Sequence, residues 1–120
     1  MINNILLVDD EVGFCLGLGK LLENNGYKVD YAFDGKEAKQ KLSSTSFDLV
    51  ITDIVMPHED GLGLILSVRE QIDPPRIIAI SGGGRGSATE YLTLAKGFNV
   101  DATLQKPFEF GDLLTQIRNL

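Results

Sequence analysis

Several residues far apart in this 120-residue chain follow directly on short apolar runs. Asp9 and Asp10 come after residues 5–8, Asp53 after 49–52, and Ser81 after 77–80. Lys106 comes just after 102–104. Singly, each is ordinary. Asp and Ser are common in turns, and Asp10 could simply cap a following helix. Together they form a chemical set. Three carboxylates in one pocket repel one another, each pair costing on the order of a few kcal/mol at an effective dielectric near 20. Either their pKa values rise or a cation enters. An all-oxygen donor set favours a hard ion such as magnesium, which accepts one or two carboxylates together with waters and a substrate phosphate. Lys106 adds a positive charge opposite the acids, and Pro107 restricts its backbone to extended conformations. Ser81 can donate one hydroxyl hydrogen bond. A nucleophilic carboxylate, a hard metal and donors for phosphate oxygens are the parts of a phosphoryl-transfer site.

These groups meet only if the runs before them are parallel strands. The chain alternates such runs with helical-period segments, a pattern that favours a parallel sheet covered by helices on both faces. Strands are expected at 5–8, 28–32, 49–52, 77–80 and 102–104. The second alternates charged and apolar residues and reads as an edge strand. Helices are expected at 12–25, 36–43, 62–71, 88–96 and 110–119. Their proposed inner stripes are Phe14, Leu18, Leu21 and Leu22 in the first helix, and Ala38 and Leu42 in the second. The third has Leu62, Ile65, Leu66 and Ile72, and the fifth has Phe110, Leu113, Leu114 and Ile117. Gly26 is placed to take a left-handed helix cap. Right-handed crossovers leave few topologies, and in open sheets of this kind the ligand site lies beyond the carboxyl ends of the strands.

Composition narrows the function classes. The net charge of −6 argues against nucleic-acid binding by this chain. No apolar run approaches the ~20 residues needed to cross a bilayer, and the N-terminus has no signal-type stretch. The expectation is a cytoplasmic protein without an anchor. The single cysteine, Cys15, allows no intramolecular disulfide and reads as a buried filler. His58, the only histidine, reads as a solvated loop residue, so there is no zinc constellation.

At this point the chain resembles the receiver domains of bacterial-type response regulators. Asp9-Asp10 is similar to the family's acidic pair. The run Asp53-Ile54-Val55-Met56-Pro57-His58-Glu59-Asp60-Gly61 is similar to its D-x-x-M-P-x-x-D-G signature. Ser81 matches the family's hydroxyl position, and Lys106-Pro107-Phe108 its K-P-F. The resemblance covers the whole chain, so residues 1–120 are expected to form one receiver domain. It implies a flavodoxin-like, doubly wound α/β fold with strand order 2-1-3-4-5. It further implies that Asp53 is the phosphoacceptor, and that Asp10, Asp53 and the backbone carbonyl of Val55 ligate Mg2+, with Asp9 acting through water. Lys106 and Ser81 would contact the phosphoryl group. The donor would be a sensor histidine kinase or phosphotransfer protein, and the recipient of the signal a downstream protein or output domain. The face of the fourth helix, fifth strand and fifth helix would be the docking or homodimer surface. Such a domain catalyses its own modification but is not a turnover enzyme.

Two positions depart from the family pattern. Thr103 stands where an aromatic switch residue is usual, and a threonine cannot fill the same space, so a ring movement is not expected to carry the signal. The loop 82–87 is glycine-rich and reads either as a plain flexible loop or, more sharply, as a mobile switch formed with the fourth helix and ordered through Ser81. It lacks the G-x-x-x-x-G-K-[ST] pattern of a nucleotide loop. Three rival readings meet specific residues. An Asp-nucleophile phosphatase would need an acid two residues after Asp53, where Val55 stands. A flavin-binding protein would need an anion-binding loop after the first strand, where two acids stand. A degenerate receiver that only binds a partner is opposed by the intact Asp9, Asp10, Asp53 and Lys106 but is kept open by Thr103.

Overall fold

The computed structural model describes residues 1–54, 61–82, 93 and 96–120. In chain order the described elements are β1 (Asn4–Val8), α1 (Val12–Asn24), β2 (Lys28–Ala32), α2 (Gly35–Ser44) and β3 (Leu49–Asp53). They continue with α3 (Gly61–Arg69), β4 (Arg76–Ser81), β5 (Ala102–Gln105) and α4 (Phe110–Arg118). The helix expected at 88–96 falls mostly outside the described residues, as do Val55 and His58.

The strands form one all-parallel sheet in the order β2-β1-β3-β4-β5, as expected. Side chains alternate across each strand and so feed two cores. Leu6, Val8, Val50, Ile77 and Ala79 face α2 and α3, meeting Ala38, Leu64, Ile65 and Val68. Ile5, Leu7, Leu49, Ile51, Ile78 and Ile80 face α1 and α4, meeting Cys15, Leu18, Leu22, Leu113 and Ile117. β3, central and covered on both sides, is buried at all five positions, whereas β2 lies at an edge and is buried only at Ala32.

Local signals set the element ends. Asp34 accepts a hydrogen bond from Glu37 N (2.7 Å) and Glu37 accepts one from Phe33 N (2.8 Å), a reciprocal cap that starts α2. Gly26 takes φ +93° just past α1, as its type predicts. At the start of α1 the cap position is Glu11, whose side chain makes no capping bond.

Two helix faces differ from expectation. In α1 the buried stripe is Cys15, Leu18, Gly19 and Leu22, and Leu21 is 45% exposed. A Cβ on Gly19 would stand 2.2 Å from the Tyr31 hydroxyl, so the missing side chain lets this face sit on the Tyr31 ring. In α3 the stripe is Gly61, Leu64, Ile65 and Val68. Leu66 points outward, and Ile72 is exposed because the helix ends at Arg69.

Candidate functional site

The rim at the carboxyl ends of the strands is held by backbone bonds that continue the sheet. Asp9 N donates to Ala32 O (3.1 Å), Ile54 N to Ile80 O (3.0 Å) and Lys106 N to Ser81 O (2.9 Å). The sites of Asp9, Asp53, Ser81 and Lys106 are therefore fixed by the ladder rather than by free loops.

Carboxylate oxygens of Asp9, Asp10 and Asp53 lie within 4.8 Å of one another. Asp9 and Asp53 are buried, and Asp10 is more open. Lys106 Nζ donates to Asp9 Oδ2 (2.7 Å), Glu11 Oε1 (2.9 Å) and Asp53 Oδ2 (3.1 Å). Asp9 Oδ1 also accepts Glu11 N (2.9 Å). Burial raises the Asp9 pKa above the ordinary carboxylate value, and its bonds to Lys106 and Glu11 N only partly offset that. Burial pulls the Lys106 pKa down, but its bonds to Asp9 and Glu11 outweigh this and hold the ammonium above its usual value.

The oxygen-only donor set at this spacing fits a hard divalent cation and would relieve the repulsion that Lys106 alone leaves. Magnesium suits it better than a transition metal, because among the described residues neither a thiolate nor an imidazole joins the cluster.

Ser81 closes β4 beside this cluster. It is fully buried, and its Oγ has no hydrogen-bond partner among the described residues. A buried hydroxyl in that state costs about 1–3 kcal/mol, which calls for a partner supplied from elsewhere. Thr103 pairs with Ala79 in β5, on the sheet face that Ser81 shares, and is partly buried. The structure thus brings Asp9, Asp10, Asp53, Ser81 and Lys106 to one rim and sets Thr103 lower on the same face. Val55 and the loop 83–92 lie outside the described residues.

Four site neighbours make contacts that sequence reasoning did not assign to them. Glu11 bonds Lys106, and Phe14 places its ring 4.2 Å from Nζ. Glu11 at the cap of α1 and Phe14 in its first turn are three residues apart, the one signal available in the sequence. Gly82 leaves room for the Lys106 stem, since a Cβ there would meet Cδ at 2.7 Å. Gly61 lets the start of α3 rest on the backbone beside Asp53, since its Cβ would stand 2.6 Å from Asp53 O. That contact gives the last glycine of the signature a packing reason.

Residues 5–118 match the family described as the response regulator receiver domain. The transcriptional regulatory protein DltR of Streptococcus agalactiae is 33% identical over 115 residues, covering 95% of this chain and 50% of that protein. The chain spans about half the length of the curated relatives it matches. Among solved structures, a response regulator signal receiver domain from Bermanella marisrubri superposes with a TM-score of 0.89 at 30% identity, covering 100% of this chain and 98% of that one. The response regulator TrrA of Thermotoga maritima, solved in complex with Mg(2+)-BeF, superposes with a TM-score of 0.86 at 30% identity, covering 98% of each chain.

Proposed function

Because this chain belongs to the response regulator receiver domain family, we propose that residues 1–120 act as one phosphorylation-controlled switch with Asp53 as phosphoacceptor. The observation that carries this reading is the convergence of Asp9, Asp10 and Asp53 within 4.8 Å, with Lys106 bonded to Asp53 at 3.1 Å. A carboxylate oxygen of Asp53 attacks the phosphorus. The donor's phosphorus–nitrogen bond breaks, and its electron pair stays on the phosphohistidine imidazole. Lys106 holds Asp53 before transfer and bonds a phosphoryl oxygen after it. Asp10 and Asp53 would hold Mg2+ directly and Asp9 through water, and the backbone carbonyl of Val55, which lies outside the described residues, would be the third protein ligand. Magnesium supplies charge neutralisation for the crowded carboxylates and the incoming phosphoryl oxygens. The presence of magnesium with a beryllium fluoride in the TrrA structure is consistent with this assignment.

Ser81 is the sensor. Its unpartnered hydroxyl finds in a phosphoryl oxygen the acceptor it otherwise lacks. Movement at Ser81 then passes to the loop after β4 and to the face containing β5 and α4, where a target or a second copy docks. Thr103 leaves that face without the usual ring. The donor is a histidine kinase or phosphotransfer protein, and the recipient an output domain or separate protein. A cytoplasmic setting suits this exchange, and no helix among the described residues is long and apolar enough to cross a membrane.

The test is intact mass after incubation with acetyl phosphate and magnesium. The chain gains one phosphoryl group, and Asp53→Asn gains none. Uptake by that variant equal to the parent's would overturn the assignment.

A further inference from the structure

We propose that Glu11 is a releasable placeholder on Lys106, occupying an ammonium donor that a phosphoryl oxygen on Asp53 must later take, and so slowing phosphoryl uptake. The inference rests on the aspartyl-phosphate reading above. A lysine ammonium has three N–H donors. Here three carboxylates take them: Asp9 at 2.7 Å, Glu11 at 2.9 Å and Asp53 at 3.1 Å. The Phe14 ring, 4.2 Å from Nζ, covers a further side of the head group. That ring is itself braced edge-on against Phe108 at 6.2 Å, so it yields little.

A phosphoryl group on Asp53 brings three strong acceptor oxygens. The phosphorylated Asp53 keeps a carbonyl oxygen that still accepts one donor of Lys106, so for Lys106 to bond a phosphoryl oxygen as well, either Asp9 or Glu11 must let go. Asp9 is poorly placed to do so. Its side chain is 2% exposed, and release from Lys106 would leave Asp9 Oδ2 buried without its direct donor. The Glu11 side chain is 63% exposed, so water replaces the lysine at little cost. The exchange therefore moves one donor from Glu11 to the phosphoryl group, while Asp9 and Phe14 keep the ammonium in place. Glu11 touches no reacting atom and acts through Lys106, as a positioning residue.

The test follows phosphoryl incorporation over time by intact mass for the parent chain, Glu11→Gln and Glu11→Asp, with acetyl phosphate and magnesium. In that reaction an Asp53 oxygen bonds to phosphorus, the bond from phosphorus to the acetate oxygen breaks, and acetate leaves with the electron pair. Aspartate keeps the charge but is one methylene too short to reach Lys106 from the same backbone position. Both variants are expected to incorporate phosphoryl about two- to fivefold faster than the parent, the range that release of a partly exposed ion pair allows. Their melting temperatures should match the parent's. A Glu11→Asp variant that tracks the parent while Glu11→Gln is faster would assign the effect to charge alone and overturn the placeholder. Equal rates in all three, or slower variants, overturn it as well. Failure of the parent to take up any phosphoryl group overturns the aspartyl-phosphate reading itself, and this inference with it.

Discussion

Both rims of the sheet carry acids, and they treat them in opposite ways. At the amino ends of the strands, Asp48 accepts the backbone N–H groups of Asn3 (2.8 Å) and Asn4 (2.9 Å). Asp101 accepts Ile77 N (2.8 Å) and a guanidinium nitrogen of Arg76 (3.1 Å). Each of these carboxylates is satisfied by donors that tie down the start of a strand. At the carboxyl ends, carboxylate oxygens of Asp9, Asp10 and Asp53 lie within 4.8 Å of one another, and one ammonium, Lys106, is shared by Asp9, Asp53 and Glu11. The backbone bonds from Asn4 and Asn3 lower the Asp48 pKa, whereas burial raises that of Asp9. An acid at a strand end is therefore no sign of chemistry in itself. What distinguishes the two rims is whether the acids stand apart on strand-starting amides or crowd within 4.8 Å of one another around a shared ammonium.

The largest expected effect tests that division directly. Asp53→Asn and Asp10→Asn should lose phosphoryl uptake, yet the metal-free proteins should hold or gain stability, because each removes a charge from a crowded cluster. Asp48→Ala should do the reverse. It should keep uptake and cost about 1–3 kcal/mol, since two backbone donors lose a charged acceptor. Urea midpoints measured in chelator, beside intact-mass assays, read both. A rim-independent result, with all three variants destabilised alike, would erase the distinction.

Magnesium should sharpen the same contrast. A ligand that binds only the folded state at 100 times its Kd stabilises by about 2.7 kcal/mol. For a chain of this size that raises Tm by roughly 8–14 °C. The shift should vanish in Asp10→Asn and persist in full in Asp48→Ala. A magnesium-induced shift undiminished in Asp10→Asn would place the cation away from this rim.

The carboxyl-end rim was the more legible of the two in the sequence. Asp9, Asp10, Asp53, Ser81 and Lys106 stand out because each follows an apolar run, and a parallel sheet necessarily gathers such positions on one side. Strand order came from the family resemblance, which the observed order matches. Less accessible was what depends on how a helix is rotated against the sheet. α1 is apolar on several sides, with Val12, Phe14, Cys15, Leu16, Leu18, Leu21 and Leu22, so periodicity alone leaves its inner face open. Gly19 decides the matter, because the Tyr31 ring takes the space of its missing side chain. No local pattern in α1 announces a contact with β2. The same rotation brings Glu11 and Phe14 to Lys106, 95 residues away from Glu11. Ile72 was misplaced for a simpler reason: α3 ends at Arg69, before the apolar pattern does.

The smallest expected effect concerns pH at the amino-end rim. In the folded chain Asp48 titrates below its ordinary value of 3.8, because the Asn4 and Asn3 amides bond its ionised form. The unfolded chain therefore takes up this proton first as pH falls. The stabilising contribution is complete above the unfolded value and is lost as pH drops through the folded one. Asp48→Asn keeps a carbonyl that accepts one of the amides but removes the charge, so it isolates the ionic part. Asp48 is partly exposed, so that part is discounted for solvent to about 0.5–1 kcal/mol. The urea midpoint of the parent should exceed that of Asp48→Asn by a constant margin from pH 7 to about pH 5. The margin should then narrow below about pH 4 as the carboxyl protonates. A margin that widened on acidification would mean that the folded chain prefers the protonated form of Asp48. The contrast with the crowded rim would then lose its amino-end half.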